Sequence, residues 1–250
     1  MKNNFETLRY DKIRKTNIVL IILGLLVPAI ELLTKDSLSD VEWGFIIIPP
    51  VVAVLLVLFL VFSKRILIGI LMAVDVDYNT VNMLMKRKEN KRNYIHNRSW
   101  DALACYYYGD FSGLFYCATE IEKSEDIKTI FLVRNTQIKA LFIMGEYEKV
   151  TELVELQKQL IPKLPRKIVD NSTVYYDFYL SCISKDFEKG IAILEKLLTD
   201  KVIMNQNHSK LTIFYFLKMA YKELGNEEQV EKCTQEIFKC DPRRLTFFTR

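Results

Sequence analysis

Glycine, proline and histidine are scarce in this chain of 250 residues: 8 Gly, 6 Pro and 2 His. So little glycine and proline excludes a collagen-like, linker-rich or hairpin-rich protein. Two histidines and five scattered cysteines leave little material for a metal centre, and neither a metal nor a cofactor is expected. The cysteines, Cys105, Cys117, Cys182, Cys233 and Cys240, contain no C-x-x-C pair and read as buried structural thiols. The net charge of +4 is too small to mark a nucleic-acid partner. Phosphate-binding glycine loops, H-E-x-x-H and G-x-S-x-G are all missing. His96 and His208 stand far apart in polar stretches and read as turn or surface residues. No catalytic residues are expected, the chain reads as non-enzymatic, and nothing points to a small-molecule substrate.

What is present is apolar sequence, concentrated at the N-terminus. Half of all residues are hydrophobic. Thr16 to Ile30 carries no charge, and Leu32 and Leu33 extend that run past Glu31. Trp43 to Ser63 adds 21 uncharged residues. A spanning helix needs about 20 apolar residues. Residues 17–33 and 44–63 therefore read as two transmembrane helices forming a hairpin. Pro49 and Pro50 start or kink the second. A cleaved signal peptide competes for the first run, but Leu25-Leu26-Val27-Pro28-Ala29-Ile30 offers no small-residue cleavage pattern.

Orientation follows from the basic residues. The tail, residues 1–15, holds Lys2, Arg9, Lys12, Arg14 and Lys15, whereas the connecting loop holds Lys35 beside Asp36, Asp40 and Glu42. Both termini are thus expected in the cytoplasm of a two-span cell-membrane protein. The nine apolar residues Ile66 to Val74 are too short to span and read as a juxtamembrane helix. Beyond them Lys86, Arg87, Lys88, Lys91 and Arg92 form a basic cluster suited to anionic lipid headgroups at the bilayer surface.

Residues 75–250 carry 27 basic and 25 acidic residues and read as all-α, because apolar residues recur every three or four positions. Four short segments look alike: Gly109-Asp110-Phe111-Ser112-Gly113-Leu114, Gly145-Glu146-Tyr147-Glu148-Lys149-Val150, Lys185-Asp186-Phe187-Glu188-Lys189-Gly190 and Gly225-Asn226-Glu227-Glu228-Gln229-Val230. Each is expected to join two amphipathic helices. The glycine would end the first helix in the left-handed conformation. The following Asp or Asn would cap the second. Residues 75–94 read as a capping helix and 95–250 as the repeat domain.

This pattern resembles the tetratricopeptide repeat family over about residues 95–244. The unit from Leu211 to Arg244 carries Ala220, Tyr221, Leu224, Gly225, Val230 and Asp241-Pro242. Another carries Ala140, Gly145, Tyr147 and Pro162. Lys185 and Gly190 depart from the family pattern, as does Gly113, and the units here are longer than the family's. The resemblance implies an α-helical solenoid whose first helices line a concave groove. On that basis Tyr106, Asn135, Lys139, Tyr175, Tyr179, Tyr215, Met219 and Lys222 would face a bound protein or peptide partner. The implied function is a membrane-anchored interaction scaffold. A peptide-sensing regulator or self-protection factor is the alternative. The Lys-, Asn- and Ile-rich, Gly-poor composition hints at an AT-rich bacterial genome.

Overall fold

A computed structural model describes residues 76–86 and 93–249, with isolated positions at 51, 52, 54, 55, 68 and 71. The two expected spans, the N-terminal tail and four of the five basic cluster residues (Arg87, Lys88, Lys91 and Arg92) lie outside the described residues. Among the described residues no helix is long and apolar enough to cross a membrane. Ile70–Arg250 forms one compact unit, separate from Met1–Gly69.

Regular structure among the described residues is entirely helical. The helices are α1 (Tyr78–Met85), α2 (Tyr94–Tyr108), α3 (Phe111–Glu122), α4 (Ile127–Ile143), α5 (Tyr147–Leu160), α6 (Arg166–Ile183), α7 (Phe187–Leu197), α8 (Lys201–Met204), α9 (Asn207–Glu223) and α10 (Glu227–Cys240). A short 3₁₀ turn, Phe247–Thr249, ends the described chain. The expected capping helix at 75–94 is therefore shorter, since α1 ends at Met85 and α2 begins at Tyr94. The Tyr78 ring of α1 stacks on Tyr107 of α2 with centroids 3.7 Å apart.

Four hairpins follow, α2–α3, α4–α5, α6–α7 and α9–α10, and their turns share one backbone design. Gly109, Gly145, Lys185 and Gly225 all have positive φ, between 64° and 77°. Each donates its amide to the carbonyl three residues back. The next residue then reaches five back: Asp110 to Cys105, Glu146 to Leu141, Asp186 to Ser181 and Asn226 to Tyr221. This is the Schellman closure of a helix end. The side chains of Asp110, Asp186 and Asn226 then cap the following helix on the amides of Gly113, Lys189 and Gln229. Glu146 makes no such cap. Lys185 holds the left-handed conformation at φ 64°, which costs an L-residue roughly 1–2 kcal/mol.

The hairpins stack in chain order around two cores. One joins Phe142, Phe178, Tyr179 and Phe216 from α4, α6 and α9. The other joins α2 and α3 to Leu211, Ile237 and Cys240 of the last hairpin, so the array curls back on its beginning. The C-terminal residues secure that closure. Phe248 packs against Tyr106, Tyr107 and Tyr215 at centroid distances of 5.7, 5.9 and 4.9 Å. Phe247 covers Gly109 so closely that a Cβ there would lie 2.9 Å from the Phe247 Cβ. Buried Asp241 organises the return by accepting from the Leu245 and Thr246 amides and from the Thr246 and Thr249 hydroxyls.

Two stability effects follow. Lys185→Gly should stabilise the protein by about 0.5–1 kcal/mol, because glycine holds positive φ without strain although its unfolded chain is freer. Asp241→Ala should destabilise it by about 2–4 kcal/mol, because buried donors lose their acceptor. Chemical denaturation of the full-length chain, followed by far-UV circular dichroism, checks both signs.

Candidate functional site

Where the hairpins curl, their first helices surround a cavity of about 340 Å³. Leu103 and Tyr107 of α2 line one side, and Leu132, Asn135, Thr136 and Lys139 of α4 form the next. Ser172, Tyr175, Tyr176 and Tyr179 of α6 face them, and Ile203, His208, Ser209 and Thr212 complete the wall. The three- and four-residue spacing on each helix puts these residues on one face.

A polar network fixes one wall. Asn135 donates its amide to the Ser172 hydroxyl at 2.9 Å, and its carbonyl oxygen accepts from Gln157 at 2.8 Å and from the Tyr176 hydroxyl. Gln157 is fully buried and also donates to the Phe131 carbonyl at 2.9 Å. Asn135 is thereby committed to holding α4, α5 and α6 in register.

Lys139 is different. Its ammonium lies 4.8 Å from the centre of the Tyr175 ring, a cation–π arrangement. Among the described residues no carboxylate lines the cavity and Lys139 has no ion pair. Burial alone pushes its ammonium down to about 8. Burial also pushes the Tyr175 and Tyr179 phenols up, so both stay neutral. The Tyr179 hydroxyl is buried with no hydrogen-bond partner. The wall thus offers one cation, an unused hydroxyl, aromatic faces and a committed amide.

The structure brings together Asn135, Lys139, Tyr175 and Tyr179 of the expected groove residues, although Tyr179 is also packed into the core. Tyr106 is buried and turned away: Leu103 and Tyr107 present the cavity face of α2, and Tyr106 lies one helical step off it. Tyr215 is taken up by the closure, 4.9 Å from Phe248. Met219 lines a smaller hollow with Phe142, Tyr147, Phe178, Cys182 and Phe187, and Lys222 is exposed outside the cavity. The expected stripe on α9 is displaced because only its N-terminal half, at His208 and Thr212, reaches the cavity. His208 is therefore a wall residue rather than a surface one. Lys86 of the basic cluster pairs with Asp101 of α2 at 2.8 Å. Among the described residues no group of three or more metal-ligating side chains comes together.

No family model, curated protein or solved structure matches this chain.

The depressed Lys139 ammonium has a measurable sign. Between about 8 and its ordinary 10.5 the unfolded chain binds more protons at this site, so that site's contribution to stability rises with pH. Lys139→Met should therefore be more stable than wild type at pH 7, and the difference should shrink as pH rises from 8 to 10.5. Paired denaturation curves across that range check it. A constant difference would contradict a buried, uncompensated cation.

Proposed function

We propose that this chain is a membrane-anchored, non-enzymatic recognition protein whose cytoplasmic helical-repeat array holds a short segment of a protein partner at the inner face of the membrane. The observation that carries this reading is Lys139, a half-buried cation with no ion pair among the described residues, set beside tyrosines in the cavity that the first helices line. Partial withdrawal of a charge from water without an opposite charge is costly, and an anionic group on a ligand relieves that cost. Tyr175 and Tyr107 add broad, rigid faces for an apolar neighbour of that anionic group. The two apolar runs and the basic residues flanking them support the tether and its orientation. Tethering confines the domain to a thin layer and raises the effective concentration of a membrane-associated partner.

The size of the cavity favours a second reading within the same frame. About 340 Å³ is at the small end for a ligand pocket and too small for a long extended peptide. A sensor of a short peptide, regulating another membrane protein, fits that volume as well as a scaffold gripping the end of a larger partner.

A photo-cross-linking amino acid at Thr136, on the cavity wall, should capture a discrete polypeptide in intact cells. The same residue at Lys232, on the exposed face of α10, should not. Lys139→Glu should reduce the Thr136 adduct at least tenfold by repelling the anionic group, which corresponds to about 1.4 kcal/mol. Equal capture from both positions, or an adduct indifferent to Lys139→Glu, would count against recognition at this cavity. A small adduct of peptide mass would select the sensor, and a protein-sized one the scaffold.

A further inference from the structure

A second hollow adjoins the cavity. It has a volume of about 150 Å³ and lies between Trp100 and Leu103 of α2 and Leu132 and Val133 of α4. Leu103, Leu132 and Thr136 line both hollows, so the two share a wall. Their order follows from helical spacing. Trp100, Leu103 and Tyr107 succeed one another on one face of α2, and Leu132, Thr136 and Lys139 do so on α4. The smaller hollow therefore sits toward the N-terminal ends of the two faces that line the cavity further on. Among the described residues no charged side chain lines it, and Leu132 on its rim is 46% exposed. Trp100 is its largest wall residue. That indole is half-buried and belongs to neither core, and among the described residues it has no hydrogen bond and no ring contact. A tryptophan ordinarily serves a domain through the large area it packs and the partner its N–H finds. Here the ring faces a hollow instead.

We propose that this hollow is a second subsite of the cavity, taking an aromatic side chain of the same partner segment whose acidic group meets Lys139. The inference rests on the reading that the cavity receives a segment of a polypeptide. Volume selects the side chain. An apolar space of roughly 150 Å³ accepts a benzene ring, whereas a full lipid acyl chain exceeds it. Charge selects what accompanies that ring. Lys139 on the adjoining wall has no ion pair among the described residues and complements a carboxylate. Geometry sets the spacing between the two. Leu132 and Lys139 are seven positions apart on α4, on the order of 10 Å along its axis. An extended chain advances about 3.3 Å per residue, so the acidic and aromatic residues stand about three positions apart. Trp100 meets the incoming ring stacked or edge to face. Tryptophan in a pocket is also among the residues on which binding most often depends. The partner segment thus carries an acidic residue and an aromatic one in a fixed order of subsites, rather than an acidic residue alone.

The full-length chain in lipid nanodiscs would be used to select random peptides displayed on phage as internal inserts. Peptides selected by wild type should be enriched in an acidic residue about three positions from Phe, Tyr or Trp. Trp100→Ala and Leu132→Ser should each erase the aromatic preference and keep the acidic one, whereas Lys139→Met should do the reverse. Trp100 and Leu132 lie outside both cores, so these two variants should retain helical circular dichroism. For one selected peptide, Trp100→Ala should weaken binding on the order of tenfold or more. Acidic enrichment without an aromatic preference would overturn the second subsite and leave recognition at Lys139 standing. So would an aromatic preference that survives Trp100→Ala and Leu132→Ser, or one that Trp100→Ala removes together with the acidic preference. Selection of no consensus by wild type would overturn the recognition reading and the subsite with it. A second measurement separates a peptide from the bilayer as occupant. Trp43→Phe leaves Trp100 as the sole tryptophan. Its emission should respond to the selected peptide and be indifferent to brominated lipid in the nanodisc. Quenching by brominated lipid in the absence of peptide would place the ring in the bilayer and overturn the proposal.

Discussion

Each hairpin of this domain depends on one residue held in the left-handed region, with the next amide reaching back five residues. That small closure ends the first helix, satisfies its last carbonyls and fixes the direction in which the second helix leaves. Because the same closure occurs at Gly109, Gly145, Lys185 and Gly225, every first helix lies on the same side of its hairpin. Their inward faces then converge on one cavity. The interior tyrosines, the polar bracket of Asn135 and Gln157, and the position of Lys139 all follow from that alignment. The third turn shows how strong the constraint is. The chain keeps the closure at Lys185 even though the side chain makes the conformation costly.

Closure of the array sets the size of the site. An open solenoid would present a long groove, but here Phe247 and Phe248 cover the first helices and the last hairpin shares a core with them. Aromatic pairs at these separations contribute roughly 0.5–1.5 kcal/mol each beyond their buried area. Asp241 directs the crossing by satisfying two amides and two hydroxyls of the returning segment. One consequence is that Tyr106 and Tyr215 serve the closure rather than a ligand. Another is that the remaining cavity is a small hollow lined by the first helices, with Lys139 on its wall.

The helical periodicity and the turn signals were legible in the sequence because they are local. Gly109, Gly145 and Gly225 stand where the backbone turns left-handed, and Asp110, Asp186 and Asn226 cap the helices that follow. Asn135, Lys139 and Tyr175 share the interior because three- and four-residue spacing fixes a helical face. What was not legible depends on contacts between distant segments. Nothing in the residues around Phe247 shows that they will cover Gly109 and Tyr106. His208 lies in a polar stretch and still reaches the cavity wall, because α8 and the start of α9 are drawn inward by the curl. Cys105 and Gly113 are eight residues apart and look unrelated until the hairpin folds them together. That glycine reads as a weakness in α3. In the structure it is the point where a side chain would strike the Asp110 carboxylate and the Cys105 sulfur.

Lys185 and Lys139 both break a local rule, and the difference between them bears on function. Departures from consistent packing are expected at functional sites. Lys185 is exposed at a hairpin tip, and its strain is confined to the backbone. Its cost has no counterpart that a ligand could supply. Lys139 carries its cost as a charge facing a hollow, beside the Tyr175 ring and, among the described residues, with no carboxylate on the same wall. A methionine or leucine there would pack against the same tyrosines and remove the penalty of burying a charge. Within the domain the interaction that favours a cation at this position is the Tyr175 ring face beneath it. What would offset its cost is a negative charge arriving from outside, and the wall leaves space for that group beside the ammonium.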